Sequence, residues 1–132
     1  MSRRFHILVV EDDQDLRETL MEALEQEGYA VTPARDGADA LTQLRNARQR
    51  PDLILLDLQM PNMNGVEFRG EQLKIKELAD IPVALLTADS EGEQKAASLK
   101  TAFLRKPLKL PQLLSAIPQV MRPAGVLGEE RR

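Results

Sequence analysis

The sequence predicts a doubly wound α/β domain: a five-stranded parallel sheet with helices on both faces. Short apolar runs alternate with segments of helical period along the chain. Those runs are nearly unbroken in their apolar character, as expected of strands covered on both faces. Four of the five also end on a polar residue. Ile7-Leu8-Val9-Val10 ends on Glu11-Asp12-Asp13, Leu53-Ile54-Leu55-Leu56 on Asp57, Val83-Ala84-Leu85-Leu86 on Thr87, and Phe103-Leu104 leads into Lys106-Pro107.

Each element has its own signature. After the first strand, Leu16, Leu20, Ala23 and Leu24 fall at helical spacing, with Asp13 as N-cap and Gly28 as the stop. Tyr29 to Ala34 forms a second strand. Asp36-Gly37 then turns the chain into a helix that buries Ala40, Leu41, Leu44 and, at its end, Ala47, and that ends before Pro51. Strand three covers Leu53 to Asp57. A loop of turn formers, Gln59 to Gly65, leads to a third helix that carries Val66, Phe68, Leu73 and Leu78. Ile81-Pro82 opens strand four, and Pro107 sits just beyond strand five. The last helix starts near Pro111 and meets Pro118, which should kink or end it. Residues 1–121 form one domain, and 122–132 read as a short mobile tail, too few to fold into an effector domain.

Composition excludes several chemistries. The 132 residues, 42% of them hydrophobic, suit one domain with one core. With no cysteine there is no disulfide, thiol catalysis or thiolate metal site, and one histidine, His6, makes no histidine cluster. A net charge of −3 and 3% aromatic content argue against nucleic acid as a partner. No apolar run reaches the length of a membrane span, and the four residues after His6 are too few for a signal-peptide core. The expectation is a soluble, cytoplasmic protein with no membrane or nucleic-acid partner.

Parallel strands deliver their carboxyl-end residues to one edge, where open α/β sheets bind ligands. If the first and third strands are neighbours, Glu11, Asp12 and Asp57 converge there. Three carboxylates at close range need a compensating cation, and an oxygen-only set favours Mg²⁺ over a transition metal. Asp12 and Asp57 are expected to bind it directly, Glu11 through water, with the backbone carbonyl of Gln59 as a further ligand. One oxygen of Asp57 would remain free to attack phosphorus. Lys106 is placed to neutralise the phosphoryl oxygens and Thr87 to donate a hydroxyl hydrogen bond, while small Ala88 keeps the cleft mouth open. Each signal alone has an ordinary explanation: Asp13 as a helix cap, Asp57 as a strand terminator, Phe103 as core. Their coincidence at four strand ends points to phosphoryl chemistry.

The stretches 7–13, 51–65, 81–88 and 106–108 together closely resemble the receiver domain of bacterial two-component response regulators, over about residues 5–120. The resemblance implies a flavodoxin-like fold with strand order 2-1-3-4-5. It implies Mg²⁺-dependent transfer of a phosphoryl group from a sensor histidine kinase or phosphotransfer protein to Asp57, and a downstream protein target. It places the acidic pair on Glu11 and Asp12, the hydroxyl on Thr87, the lysine on Lys106 and the switch aromatic on Phe103. Two departures concern the output face: Thr87 and Lys106 are only nineteen residues apart, with Leu99-Lys100-Thr101-Ala102 in place of a Gly-Ala turn, and Pro118 lies in the final helix.

The competing readings are a receiver excised from a hybrid kinase or larger regulator, an aspartyl-nucleophile phosphohydrolase and a flavin carrier. The hydrolase needs a carboxylate two residues past its nucleophile, where Gln59 stands, and the acidic cluster would repel a flavin phosphate. Between Ala88 and Ala102 only about two helical turns fit after the turn residues 89–92, so a short, loosely held fourth helix and a monomer are expected.

Overall fold

A computed structural model describes residues 4–121; the proposed tail, 122–132, lies outside them. The chain runs β1 (His6–Val10), α1 (Gln14–Gln26), β2 (Ala30–Ala34), α2 (Gly37–Asn46), β3 (Leu53–Asp57), α3 (Gly65–Lys74), β4 (Val83–Thr87), α4 (Gly92–Leu99), β5 (Ala102–Arg105) and α5 (Leu110–Met121). All strand pairs are parallel, in the order β2-β1-β3-β4-β5. The five-stranded, doubly wound fold and its strand order are therefore those the sequence predicts.

Strand alternation divides the core between the two sheet faces. Ile7, Val9, Leu53, Leu55, Ala84 and Leu86 pack with Leu20 and Leu24 of α1 and with Leu113 and Ile117 of α5. Leu8, Val10, Ile54, Leu56, Val83 and Leu85 pack with Ala40, Leu41 and Leu44 of α2, Phe68 of α3 and Ala96 of α4. Each such Val, Leu, Ile or Phe contributes roughly 1.5–3 kcal/mol on full burial. The helix caps follow the local rules. Asp13 accepts from the Leu16 amide, Asp36 from Asp39, and Asn64 forms a reciprocal capping box with Glu67.

Three readings need correction. Helix α3 does not bury Val66 and Leu73, which are 45% and 49% exposed, and Leu78, though buried, lies in the turn beyond the helix. Besides Phe68, its inward face carries Arg69 and Gln72. Arg69 donates from Nε to the Leu99 carbonyl (3.0 Å), from Nη2 to Lys100 (3.1 Å) and from Nη1 to Gln72 Oε1 (2.8 Å). Gln72 Nε2 in turn donates to the carbonyls of Leu78 (2.9 Å) and Ile81 (3.1 Å). A buried polar group is tolerable when its partners are present, and here they are backbone carbonyls that hydropathy cannot reveal. Ala47 is exposed at the C-cap of α2, its side chain beyond the last turn that faces the sheet. Pro118 sits inside α5 without ending it before Met121. Its ring lies on the exposed side of the helix, where it costs one backbone hydrogen bond without disturbing the buried Leu113 and Ile117.

Helix α4 has eight residues, close to the expected length. Its N-terminus lacks a side-chain cap, whereas its C-terminus closes on Lys100 in the left-handed region (φ 60°, ψ 48°) with Arg69 on the terminal carbonyls.

Candidate functional site

The register sets the site. Val10 pairs with Leu56, Asp57 with Leu86 and Thr87 with Arg105, so Glu11, Asp57, Thr87 and Lys106 emerge within a residue of one another at the carboxyl edge. The Lys106 amide donates to the Thr87 carbonyl (3.0 Å), extending the β4–β5 pairing to the functional lysine itself.

Glu11 and Asp57 are buried, at 1% and 4% exposure, while Asp12 stands at the rim. One oxygen from each of the three lies within 4.8 Å of the others. Lys106 Nζ donates to Glu11 Oε1 (2.9 Å) and Asp57 Oδ1 (3.3 Å), bridging the two buried carboxylates. Glu11 is fixed further: Oε2 accepts the Asp13 amide (3.1 Å), its carbonyl accepts Arg17 Nη1 (2.8 Å) and its amide donates to Ala34 (3.0 Å).

Burial, reinforced by the charge of Glu11, pushes the Asp57 carboxyl up to about 7; Lys106 pulls against that rise, and a hydrogen bond with Asp12 supports it. Lys106 is drawn down by its own burial, but its hydrogen bond to Glu11 and the charges of Asp57 and Glu11 outweigh this and leave it raised. The three carboxylates therefore converge as the strand ends foretell, with Lys106 among them as their internal counter-charge. An oxygen-only donor set with two buried carboxylates and one at the rim fits a hard divalent cation.

The remaining residues frame this centre. Thr87 is 2% exposed, and its hydroxyl oxygen accepts the Asp89 amide (3.0 Å). Gln59 is exposed, with its backbone N–H donating to Asp57 Oδ1 (3.4 Å). Phe103 is half-buried against the α2–α4 core, with the Arg105 guanidinium 5.0 Å from its ring centroid. Asp89 is held by Lys95 (2.6 Å) and the Glu91 amide (2.8 Å), and these bonds lower its carboxyl below the usual range. On the Asp12 side a depression of about 410 Å³ is lined by Gln14, Arg17, Arg35 and Asn62. A larger concavity, about 730 Å³, lies around His6 and Thr32 at the opposite end of the sheet. Among the described residues no carboxylate lines it, and it lies away from the acidic centre.

Gly92, read from sequence as turn chemistry, is the residue the site most needed and composition least advertised. It is the first residue of α4, and a Cβ there would lie 2.5 Å from Thr87 Cγ2 and 2.8 Å from Phe103 Cε1. The missing side chain lets the helix sit against both. Gly92→Ala is expected to destabilise the protein by about 1–3 kcal/mol through overpacking, read as a shift in urea midpoint; an unchanged midpoint would show that the contact yields freely.

Fold and site together define the class: a doubly wound α/β domain with an acidic centre at the carboxyl edge of its sheet. The profile described as the response regulator receiver domain matches residues 7–118. The chain belongs to that family. It is 38% identical to the phosphate regulon transcriptional regulatory protein PhoB of Escherichia coli, over 98% of this chain and 56% of that protein. It is 36% identical to the response regulator MprA of Mycobacterium leprae, over 88% of this chain and 50% of that one. It thus spans about half the length of the curated relatives it matches. Among solved structures, chemotaxis protein CheY4 of Vibrio cholerae superposes with a TM-score of 0.81 at 30% identity, covering 89% of this chain and 99% of that one. The signal receiver domain of a signal transduction histidine kinase from Syntrophus aciditrophicus gives 0.77 at 35% identity, covering 89% of each. The family is a phosphoacceptor module of two-component signalling rather than a turnover enzyme, and it binds Mg²⁺ in an acidic pocket. Among the described residues no helix is long and apolar enough to cross a membrane.

Proposed function

We propose that this chain accepts a phosphoryl group on Asp57 from the phosphohistidine of a sensor histidine kinase or phosphotransfer protein, and passes the signal to a protein target in the cytoplasm. The observation that carries the reading is the Lys106 ammonium lying between buried Glu11 and Asp57, with Asp12 at the rim. In the transfer the donor's P–N bond breaks as Asp57 Oδ bonds to phosphorus, and the imidazole leaves with the electron pair. Asp12 and Asp57 would hold Mg²⁺, aided by Glu11 through water and the Gln59 carbonyl; bound there, it neutralises charge on the carboxylates and phosphoryl oxygens. Lys106 would exchange its bond to Asp57 for one to a phosphoryl oxygen. Thr87 would turn its hydroxyl from the Asp89 amide toward the same group, and Phe103 would follow Thr87 as the switch.

Intact mass after incubation with a small acyl phosphate and Mg²⁺ tests this: the wild-type chain should gain one phosphoryl group, and Asp57→Asn none. Asp12→Ala should lose both labelling and Mg²⁺ binding. Full labelling of the Asp57 variant would place the acceptor elsewhere.

The lifetime of the acyl phosphate is expected to depend on Gln59 more than on Asp89. Gln59 is exposed and next but one to Asp57, where its side chain would orient an attacking water, whereas Asp89 is occupied by Lys95. Gln59→Ala should slow dephosphorylation severalfold, and Asp89→Ala less; equal rates in the wild type and both variants would remove the pair from the reaction.

A second reading, a receiver module of a hybrid kinase or larger regulator, is favoured by the greater length of the curated relatives and by the likeness to a histidine kinase's receiver domain. The same labelling chemistry applies to it. A phosphohydrolase is disfavoured by the amide of Gln59 where the acid/base carboxylate would stand.

A further inference from the structure

We propose that the concavity between the end of α2 and the first residues of β1 and β2 binds a small apolar carboxylate.

The cavity follows from the length of α2. The helix packs with Leu8, Val10 and Ala34 and stops at Asn46. By strand alternation His6 and Leu8 share a sheet face with Ala30 and Thr32. Where His6 and Ala30 pair, at the first level of the sheet, that face opens into the cavity instead. About 730 Å³ is left, within the range of small-molecule sites. The floor is fixed, since Leu8, Leu44 and Pro51 are all buried. On the wall His6 and Thr32 satisfy each other through Nε2 and Oγ1 (2.6 Å). Burial holds the imidazole below its ordinary value, so it adds no charge near neutral pH.

Charge selects an anion. Among the described residues the charged groups lining the cavity are two arginines. Arg4 is set in place by the turn before β2: Nε donates to the Gly28 carbonyl (3.2 Å) and Nη2 to that of Tyr29 (2.9 Å), while Nη1 enters neither bond. Arg48 makes no hydrogen bond or ion pair among the described residues. The charges near the cavity but outside its lining are of both signs. Asp52 accepts the His6 amide on Oδ2 (2.8 Å), and Glu27 acts on Tyr29. Arg45 and Arg50 flank Arg48 in the chain, with Arg50 on the Glu77 carbonyl (2.9 Å). The C-terminus of α2 adds partial negative charge of its own. This balance suits a single negative charge better than a dianion such as a phosphate monoester. A planar carboxylate matches the guanidinium fork, and Ala30, Leu44 and Ala47 call for an apolar body. The cavity lies at the other end of the sheet from Asp57, so the inference does not depend on the phosphoacceptor reading.

Octanoate and its neutral counterpart octanamide are the probes, followed through the amide chemical shifts of the ¹⁵N-labelled full chain. Octanoate should give saturable shifts at Ala30, Thr32, Leu44 and Ala47 and bind at least about tenfold more tightly than octanamide. Arg48→Gln and Arg4→Gln should each weaken octanoate about fivefold or more. Ala30→Phe, which fills the cavity, should abolish binding while amide shifts elsewhere are retained. Arg48 is exposed, so its replacement tests the site even where that of Ala30 disturbs the fold. Equal affinities for the two probes would reduce the site to an apolar groove without anion recognition. That result, shifts centred elsewhere, no saturable shift in the wild-type chain, or full binding by Arg48→Gln would each overturn the proposal.

Discussion

Lys106→Met is expected to destabilise the metal-free protein by roughly 2–4 kcal/mol. The ammonium joins Glu11 and Asp57, which are 1% and 4% exposed, and the lysine side chain is itself only 21% exposed. Solvent screening is therefore weak, and removing one partner strands buried charge without a counter-ion. Methionine keeps the apolar stem, so the loss reads charge rather than packing. Asp57 then has an escape, because it can take up a proton. The penalty should accordingly be larger at pH 8 than at pH 5.5, where Asp57 is neutral in wild type and variant alike. Urea denaturation in chelator at the two pH values measures it. A variant as stable as wild type at pH 8 would mean that the two carboxylates do not depend on the lysine.

Asp57→Asn is expected to act in the opposite direction and raise metal-free stability at pH 8 by on the order of 2 kcal/mol. The folded carboxyl titrates near 7, against an ordinary value of 3.8. Between those values the folded chain holds a proton that the unfolded chain has released. Stability from this group is fully present below about pH 4 and is lost as pH rises through about 7. A tenfold change in proton affinity corresponds to ~1.4 kcal/mol. The figure above is smaller than the whole rise implies, because asparagine forfeits the attraction of Lys106. The difference between variant and wild type should open between pH 4 and 7 and be flat above that. Thermal melts in chelator across pH 4.5–8 provide the measurement; parallel curves, or a less stable variant, would show that Asp57 is not held against its charge.

What the chain made legible were features written in local composition. Strands buried on both faces have nothing to alternate, so Leu53 to Leu56 and Val83 to Leu86 stand out as apolar runs and the residues closing them stand out in turn. The carboxylates, Thr87 and Lys106 were found that way. Pairing was harder, because nothing in the residues around Glu11 announces that Lys106, rather than an ion alone, lies against it. Helix α3 was misread because its inward face is polar, and the carbonyls that satisfy Arg69 come from residues about thirty positions later in the chain. Gly92 was passed over because a glycine after Asp89-Ser90-Glu91 looks like a turn. Its role is visible only once Thr87 and Phe103 are seen on either side of the space a Cβ would fill.

The arginine beneath α3 has a further consequence, for how the molecule opens. Its guanidinium reaches the last carbonyls of α4, while the adjacent glutamine grips the segment leading into β4. Fraying of α4 from its C-terminal end would uncover a cation inside a low-dielectric core, and unwinding of α3 would release both neighbours together. Helices that would otherwise breathe separately are thereby joined into one cooperative block, and the weakest point of α4 falls at its opposite end, beside Thr87.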